Sequence, residues 1–132
     1  LKTPFQPGDT LEYTRIVLPA DIAAFDSGTV HEVYSTFSLA RDAEWSGRLF
    51  VLEMKEAHEE GIGTRISVEH RGPAFVGEEI RFVAEYVGIS EQREIVTRYK
   101  AWCGERLIAE GEQGQKILPK DKIEARFAQL RG

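Results

Sequence analysis

The sequence predicts an α+β fold in which an antiparallel sheet of about five strands packs one face on a single long helix. Three observations predict it. One helix-length stretch, opened by Ser35-Thr36, has apolar or small residues recurring at three- and four-residue intervals. Four later stretches alternate apolar and polar residues with period two, the mark of strands with one buried face. Only short turns separate the last three of these, so they form an antiparallel meander. One helix and one sheet of this kind must bury their apolar faces on each other.

The elements follow in order. Pro7-Gly8-Asp9 forms a turn, and a short strand follows over 11–18. Residues 19–33 read as irregular, with Asp26-Ser27-Gly28 as a loop. Ser35 and Thr36 suit a helix start, because their hydroxyls accept hydrogen bonds from unpaired first-turn N–H groups. The helix runs over about 37–57, and Glu59-Glu60-Gly61 closes it, glycine supplying the stop. Strands follow over 63–70, 78–88, 93–103 and 106–118, with turns at 88–92 and 104–105. Pro119 ends the last strand, and 120–130 make a short C-terminal helix. Two architectures fit this order: a hotdog, with a curved sheet wrapped around a central helix, and a cone-shaped sheet closed over helices. The early long helix and the later meander match the hotdog better.

The 132 residues, 42% hydrophobic and 30% charged, have the proportions of a globular chain and are expected to form one domain over 1–132. A net charge of −5 argues against nonspecific nucleic-acid binding, which needs a basic face. No apolar run reaches the length of a membrane span. The start, Leu1-Lys2-Thr3-Pro4, lacks the pattern of an export signal. The one cysteine, Cys103, cannot form an internal disulfide and reads as a small buried hydrophobe. These features together predict a cytoplasmic protein.

Two residues stand out chemically. Phe37, Ala40, Glu44, Gly47, Val51 and Met54 make one helical stripe, and all but Glu44 are apolar or small. A carboxylate on a buried stripe is costly unless something satisfies it. Either the stripe is rotated and Glu44 sits at its rim, or the carboxylate is held in a cleft for work as a base or nucleophile. Gly47 on the same stripe points to a close approach of helix and sheet, since a mid-helix glycine costs about 1 kcal/mol relative to alanine. The second residue is His70. In the strand over 63–70, Thr64, Ile66, Val68 and His70 share one face, so His70 ends the inward side at the edge of the core. There it is either a satisfied core histidine or a group that titrates near neutral pH.

Val33-Tyr34-Ser35-Thr36, then Glu44, then Gly61-Ile62-Gly63-Thr64, then Val68-Glu69-His70 together resemble the fluoroacetyl-CoA thioesterase family of hotdog proteins. The similarity runs over about 30–77 and returns weakly at Lys116-Ile117-Leu118-Pro119-Lys120. The resemblance implies a catalytic threonine, glutamate and histidine, which fall on Thr36, Glu44 and His70. It also implies that the Gly63 N–H contributes to an oxyanion hole, and that the protein is at least a dimer with its sites at the interface, either a homodimer or a dimer of dimers. The substrate implied is an acyl-CoA; coenzyme A is part of that substrate, and no separate cofactor or metal is expected. The fluoroacetate-specific member carries a phenylalanine lid before its threonine, whereas 26–30 here has no aromatic residue after Phe25. The expectation is therefore a thioesterase for a small acyl-CoA rather than for fluoroacetyl-CoA alone.

Thioester hydrolysis needs an activated water or a nucleophile, donors for the tetrahedral oxyanion, and a route for the thiolate to leave. In the set that the resemblance implies, Glu44 would serve as base or as nucleophile, His70 would assist proton transfer or hold the developing charge, and Thr36 would position water or the carboxylate. On one continuous helix, Thr36 and Glu44 would lie about 12 Å apart along the axis, too far for a direct bond. Either Thr36 folds back from a loop, or two subunits build the site. His31 and His58 lie apart from any metal-ligand spacing and read as surface residues. Trp45 and Trp102 read as packing, and Arg65, Arg71, Lys116, Lys120 and Lys122 as surface cations. The competing function is a non-catalytic acyl-CoA or small-ligand binding module on the same fold, which would not need a carboxylate on the stripe.

Overall fold

The structure, a computed structural model, describes residues 1–25 and 27–132. Its strands are β1 (Thr10–Ile16), β2 (Ile22–Phe25), β3 (Gly28–Tyr34), β4 (Glu59–Ile66), β5 (Glu69–His70), β6 (Glu79–Ile89), β7 (Ile95–Cys103) and β8 (Arg106–Pro119). Two helices, α1 (Thr36–Met54) and α2 (Lys120–Arg131), complete the chain. The main sheet runs β1-β6-β7-β8-β4, all antiparallel, with β5 also on β8. It curls around α1, the hotdog arrangement expected. Among the described residues no helix is long and apolar enough to cross a membrane.

Alternation along the meander builds the core. Ile80, Phe82, Ala84 and Tyr86 of β6 and Ile95, Thr97, Tyr99 and Ala101 of β7 are buried on the helix side. From α1, Leu39, Ala43, Phe50, Val51 and Met54 meet them. Ser35 caps α1, its Oγ accepting the Ser38 N–H at 3.0 Å. C-terminal α2 buries none of its residues.

Residues 19–33 are not irregular: a 3₁₀ turn at Pro19–Asp21 leads into the β2–β3 hairpin. Of the loop expected at Asp26-Ser27-Gly28, Gly28 opens β3 and Asp26 lies outside the described residues. The helix ends at Met54, not near 57, and Gly61 does not stop it. The buried Glu59 accepts the Glu56 N–H at 2.9 Å and closes a turn, after which β4 begins at once.

The strand expected over 63–70 is likewise two strands with a break at 67–68, and the first of them carries a bulge. Gly63 lies opposite Gln115 and Arg65 opposite Gly114, so Thr64 is an extra residue that reverses the alternation beyond it. Thr64 is thereby turned outward, while Ile66 and His70 fall opposite the buried Gln113 and Ala109, on the inner face as expected, though both are exposed there; Val68 is half-buried. The helical stripe is rotated as well. Phe37 is 82% exposed and Glu44 is exposed, while Ser38, Leu39, Asp42, Ala43 and Ser46 turn inward. Glu44 is thus at the rim of the buried face. The apolar pattern misled because Phe37, at the first turn, does not pack on the sheet.

Gly47 does mark a close approach. A Cβ there would lie 1.2 Å from Gln113 Nε2 and 2.6 Å from Thr97 Oγ1, so α1 rests directly on β8 and β7. Beneath it Gln113 donates to Thr97 at 2.8 Å and Gln115 donates to Gln113 at 3.1 Å. The buried amides satisfy one another, as buried polar groups must.

Candidate functional site

Thr36 is the first residue of α1 and His70 the last of β5, and the fold brings them together: Thr36 Oγ1 lies 2.9 Å from His70 Nδ1. Ser35, rather than Thr36, takes the capping role, which leaves the Thr36 hydroxyl for the imidazole. His70 is anchored by pairing with Ala109 of β8. Desolvation by the surrounding protein lowers its pKa below the ordinary value of 6.5, against a hydrogen bond with the Gly72 backbone. The imidazole is therefore neutral at pH 7. Its Nδ1 is engaged by Thr36.

Glu44 meets a different partner. On β4 the inward positions before the bulge are Glu59, Gly61 and Gly63, and the two glycines lie under α1. A Cβ at Gly61 would meet Val51 at 2.5 Å. A Cβ at Gly63 would lie 2.8 Å from Glu44 Oε1, so the carboxylate rests on the Gly63 backbone. Only glycine leaves that contact open.

The two pairs, Thr36–His70 and Glu44–Gly63, are not joined within one chain. Thr36 and Glu44 lie on one unbroken helix, about 12 Å apart along its axis, which eliminates a Thr36 folded back from a loop. A cavity of about 320 Å³ beside Glu44 is lined by Tyr13, Arg15, Arg41, Trp45 and Arg48, and reaches neither Thr36 nor His70. A larger cavity, about 550 Å³, lies on the outer face of the sheet among Arg81, Arg98, Lys100 and Glu112. It holds none of the four expected site residues.

A buried ionic network beside Glu44 was not visible in the sequence. Tyr34 donates its hydroxyl to Asp42, and both are buried. Burial, reinforced by Asp42, raises the Tyr34 pKa far above its usual range. Arg15 and Arg41 bridge Asp42 to the buried Asp21, with ion-pair distances of 3.0 Å. Burial works against ionisation of Asp21, but the Leu18 N–H, Arg41 and Arg15 hold its carboxyl below the usual range. The network ties the 3₁₀ turn and the hairpin to the first two turns of α1. Its one sequence signal is Asp42, inward on α1 yet charged.

His58 is exposed, as expected, but the expectation that it lies apart from any metal-ligand spacing is not met. Glu56, His58 and Glu59 place ligand-type atoms within 4.8 Å of one another, and both carboxylates pair with the Leu1 amino group. Cys103 is half-buried, and its thiol donates to Glu78.

The fold is that of the hotdog proteins, and similarity to solved structures places the chain in the thioesterase superfamily. A Thermus thermophilus member of that superfamily is 33% identical over 97% of this chain and 94% of that chain, with TM-score 0.90. A fluoroacetyl-CoA thioesterase, at 20% identity, covers 96% of this chain and 98% of its own with TM-score 0.87. A mutant of the fluoroacetyl-CoA-specific thioesterase, solved with fluoroacetate and CoA, is 20% identical over 90% of this chain and 99% of its own, with TM-score 0.82. No curated protein matches the chain. A sequence model of the fluoroacetyl-CoA-specific thioesterase family matches residues 17–121, and the chain belongs to that family of thioester hydrolases.

Proposed function

We propose that the protein is an acyl-CoA thioesterase acting on a small acyl group, with Thr36, Glu44 and His70 as its catalytic residues and the Gly63 N–H as an oxyanion donor. The observation that carries this reading is the double pairing: a threonine on a neutral imidazole, and a carboxylate seated on a glycine backbone. Glu44 either draws a proton from water or attacks the thioester carbonyl itself to give an anhydride. The Gly63 N–H takes the charge that forms on the carbonyl oxygen. His70 Nε2 moves the proton, and collapse of the tetrahedral species expels the coenzyme A thiolate.

The reading requires a second copy of the chain. Glu44 of one protomer then faces the Thr36–His70 pair of its partner. Three features support this. Among the described residues β4 is an outer strand, and its far edge pairs with no other strand, which favours cover by another sheet. Phe37, beside Thr36, is the most exposed large apolar side chain among the described residues, and Phe75 and Val76 beyond His70 are half-exposed. Thr36 and Glu44 also lie about 12 Å apart along one helix axis, too far for a direct bond. The reading takes 1–132 as one hotdog domain working as a homodimer or dimer of dimers. The lone Cys103 supports a cytoplasmic location.

Release of thiol from a panel of acyl-CoAs tests the function. Glu44→Gln keeps the side-chain shape but removes the base and nucleophile, and is expected to lose hydrolysis about 10²–10⁴-fold. Binding of acyl-CoA with no thiol release by the wild-type chain would establish a binding module instead.

A further inference from the structure

A carboxylate on the outer face of the sheet reaches the bulge beside Gly63. Glu94 stands just before β7, and its side chain crosses β8 to reach β4. Gly114 leaves room for that crossing, since a Cβ there would lie 2.3 Å from Glu94 Cδ. Thr64 donates its hydroxyl to Glu94 Oε2, and Arg65 Nε donates to Oε1 at 2.9 Å. In a regular strand the side chains of Thr64 and Arg65 point to opposite faces, and one carboxylate could not take both. The bulge turns both outward. The two-pronged contact therefore exists only in the bulged register.

That register decides what lies under Glu44. With Arg65 opposite Gly114 and no bulge, Thr64 would take the place of Gly63 opposite Gln115. Its Cβ would then enter the contact that only glycine leaves open. Glu94 is itself firmly placed. Ser90 N–H donates to the Glu94 carbonyl at 2.8 Å, the Glu94 N–H donates to Ser90 Oγ at 3.1 Å, and Arg93 between them takes a left-handed φ of 66°. The Thr64 hydroxyl and Arg65, outweighing the cost of burial, hold the Glu94 carboxyl below its usual range, so it is charged at neutral pH.

We propose that Glu94 is a positioning residue for the thioesterase site: by clamping Thr64 and Arg65 across Gly114, it locks the bulge that keeps Gly63 beneath the Glu44 carboxylate. The proposal rests on the reading of Glu44 and Gly63 given above. Glu94 touches no substrate; it acts through the strand.

Steady-state thiol release tests it. Glu94→Gln keeps an acceptor for Thr64 but loses the one for Arg65, and Gly114→Ala pushes the carboxylate away. Each is expected to lower kcat about 10-fold or more with KM unchanged, because small displacements of a reacting group cost that much. Thr64→Val should do the same, while Thr64→Ser, which keeps the hydroxyl, should restore the wild-type kcat. The Glu94→Gln/Gly114→Ala double variant should be no slower than the worse single, since both remove one contact. Should Gly114→Ala fail to fold, the Glu94→Gln and Thr64 comparisons still decide. Wild-type kcat in Glu94→Gln and Thr64→Val, beside an inactive Glu44→Gln, overturns the clamp and leaves the site standing. A Glu44→Gln chain as active as wild type overturns the site reading, and the clamp with it.

Discussion

Replacing Gly63 by alanine separates the site from the fold. The residue does not use a left-handed backbone, so alanine is compatible with its conformation. The added Cβ would stand 2.8 Å from Glu44 Oε1 and 3.4 Å from its Cδ. The carboxylate oxygen must withdraw by about 0.6 Å to reach ordinary van der Waals contact. Glu44 is exposed, so its far end moves at little cost. Alanine also restricts the unfolded chain, a gain of about 0.4–1 kcal/mol. Thermal unfolding of Gly63→Ala should therefore match wild type or exceed it slightly. Activity should not survive equally. The displacement of Glu44 and the methyl group set on the oxyanion position are expected to lower kcat by about 10- to 100-fold. Thiol release measured beside a melting curve reads both quantities. A Gly63→Ala protein with wild-type kcat would refute the assignment of this contact to catalysis, and one that unfolds many degrees earlier would show the glycine to be structural.

The opposite outcome is expected at Gly47. Alanine there gains about 1 kcal/mol in helix propensity. It also drives a Cβ into Gln113 and Thr97 and breaks their buried hydrogen bond, so a net loss of about 2 kcal/mol or more should appear in the denaturant midpoint. The lowered pKa of His70 keeps it neutral at pH 7, so kcat/KM should hold down to pH 6.5 and fall only below it. His70→Ala should lack that acid limb, and a wild-type limb centred above 6.5 would contradict the role. By linkage, stability should also decline as pH falls through 6.5, where the unfolded chain takes up the proton first. Sedimentation should show a dimer or larger at micromolar concentration; a stable monomer would remove the composite site.

What the sequence reveals of this fold depends on which elements have a clear period. Strands β6, β7 and β8 emerge nearly whole, because Ile80 to Tyr86 and Ile95 to Ala101 alternate without interruption. The β2–β3 hairpin stays hidden, since its burial is one-sided and shallow and no alternation marks it. The bulge at Thr64 limits period-two reading: Ile66 and His70 lie on the inner face as the alternation predicts, but Thr64 does not, and before the bulge the inward positions are Glu59, Gly61 and Gly63. Glu44 stands out from a stripe that proves rotated, yet its carboxylate does meet the backbone of Gly63. The meeting of Thr36 with His70 has no local signal at all. It arises from the resemblance, and geometrically from β5 pairing with β8 beside the start of α1. The Tyr34–Asp42–Arg15–Asp21 network joins residues from four separate segments, which no single-segment pattern can reveal.

The central claim is that Glu44 of one chain works with Thr36 and His70 of another. Mixing two inactive proteins tests it directly. Glu44→Gln and His70→Ala should each be nearly dead alone. If the site spans two chains, every mixed dimer holds one intact site, from the unaltered His70 of one chain and the unaltered Glu44 of the other. Unfolding and refolding an equal mixture should then restore about a quarter of the wild-type thiol release, given random pairing into dimers. No recovery from a mixture shown to contain mixed dimers would place both residues in one chain's site and contradict the account.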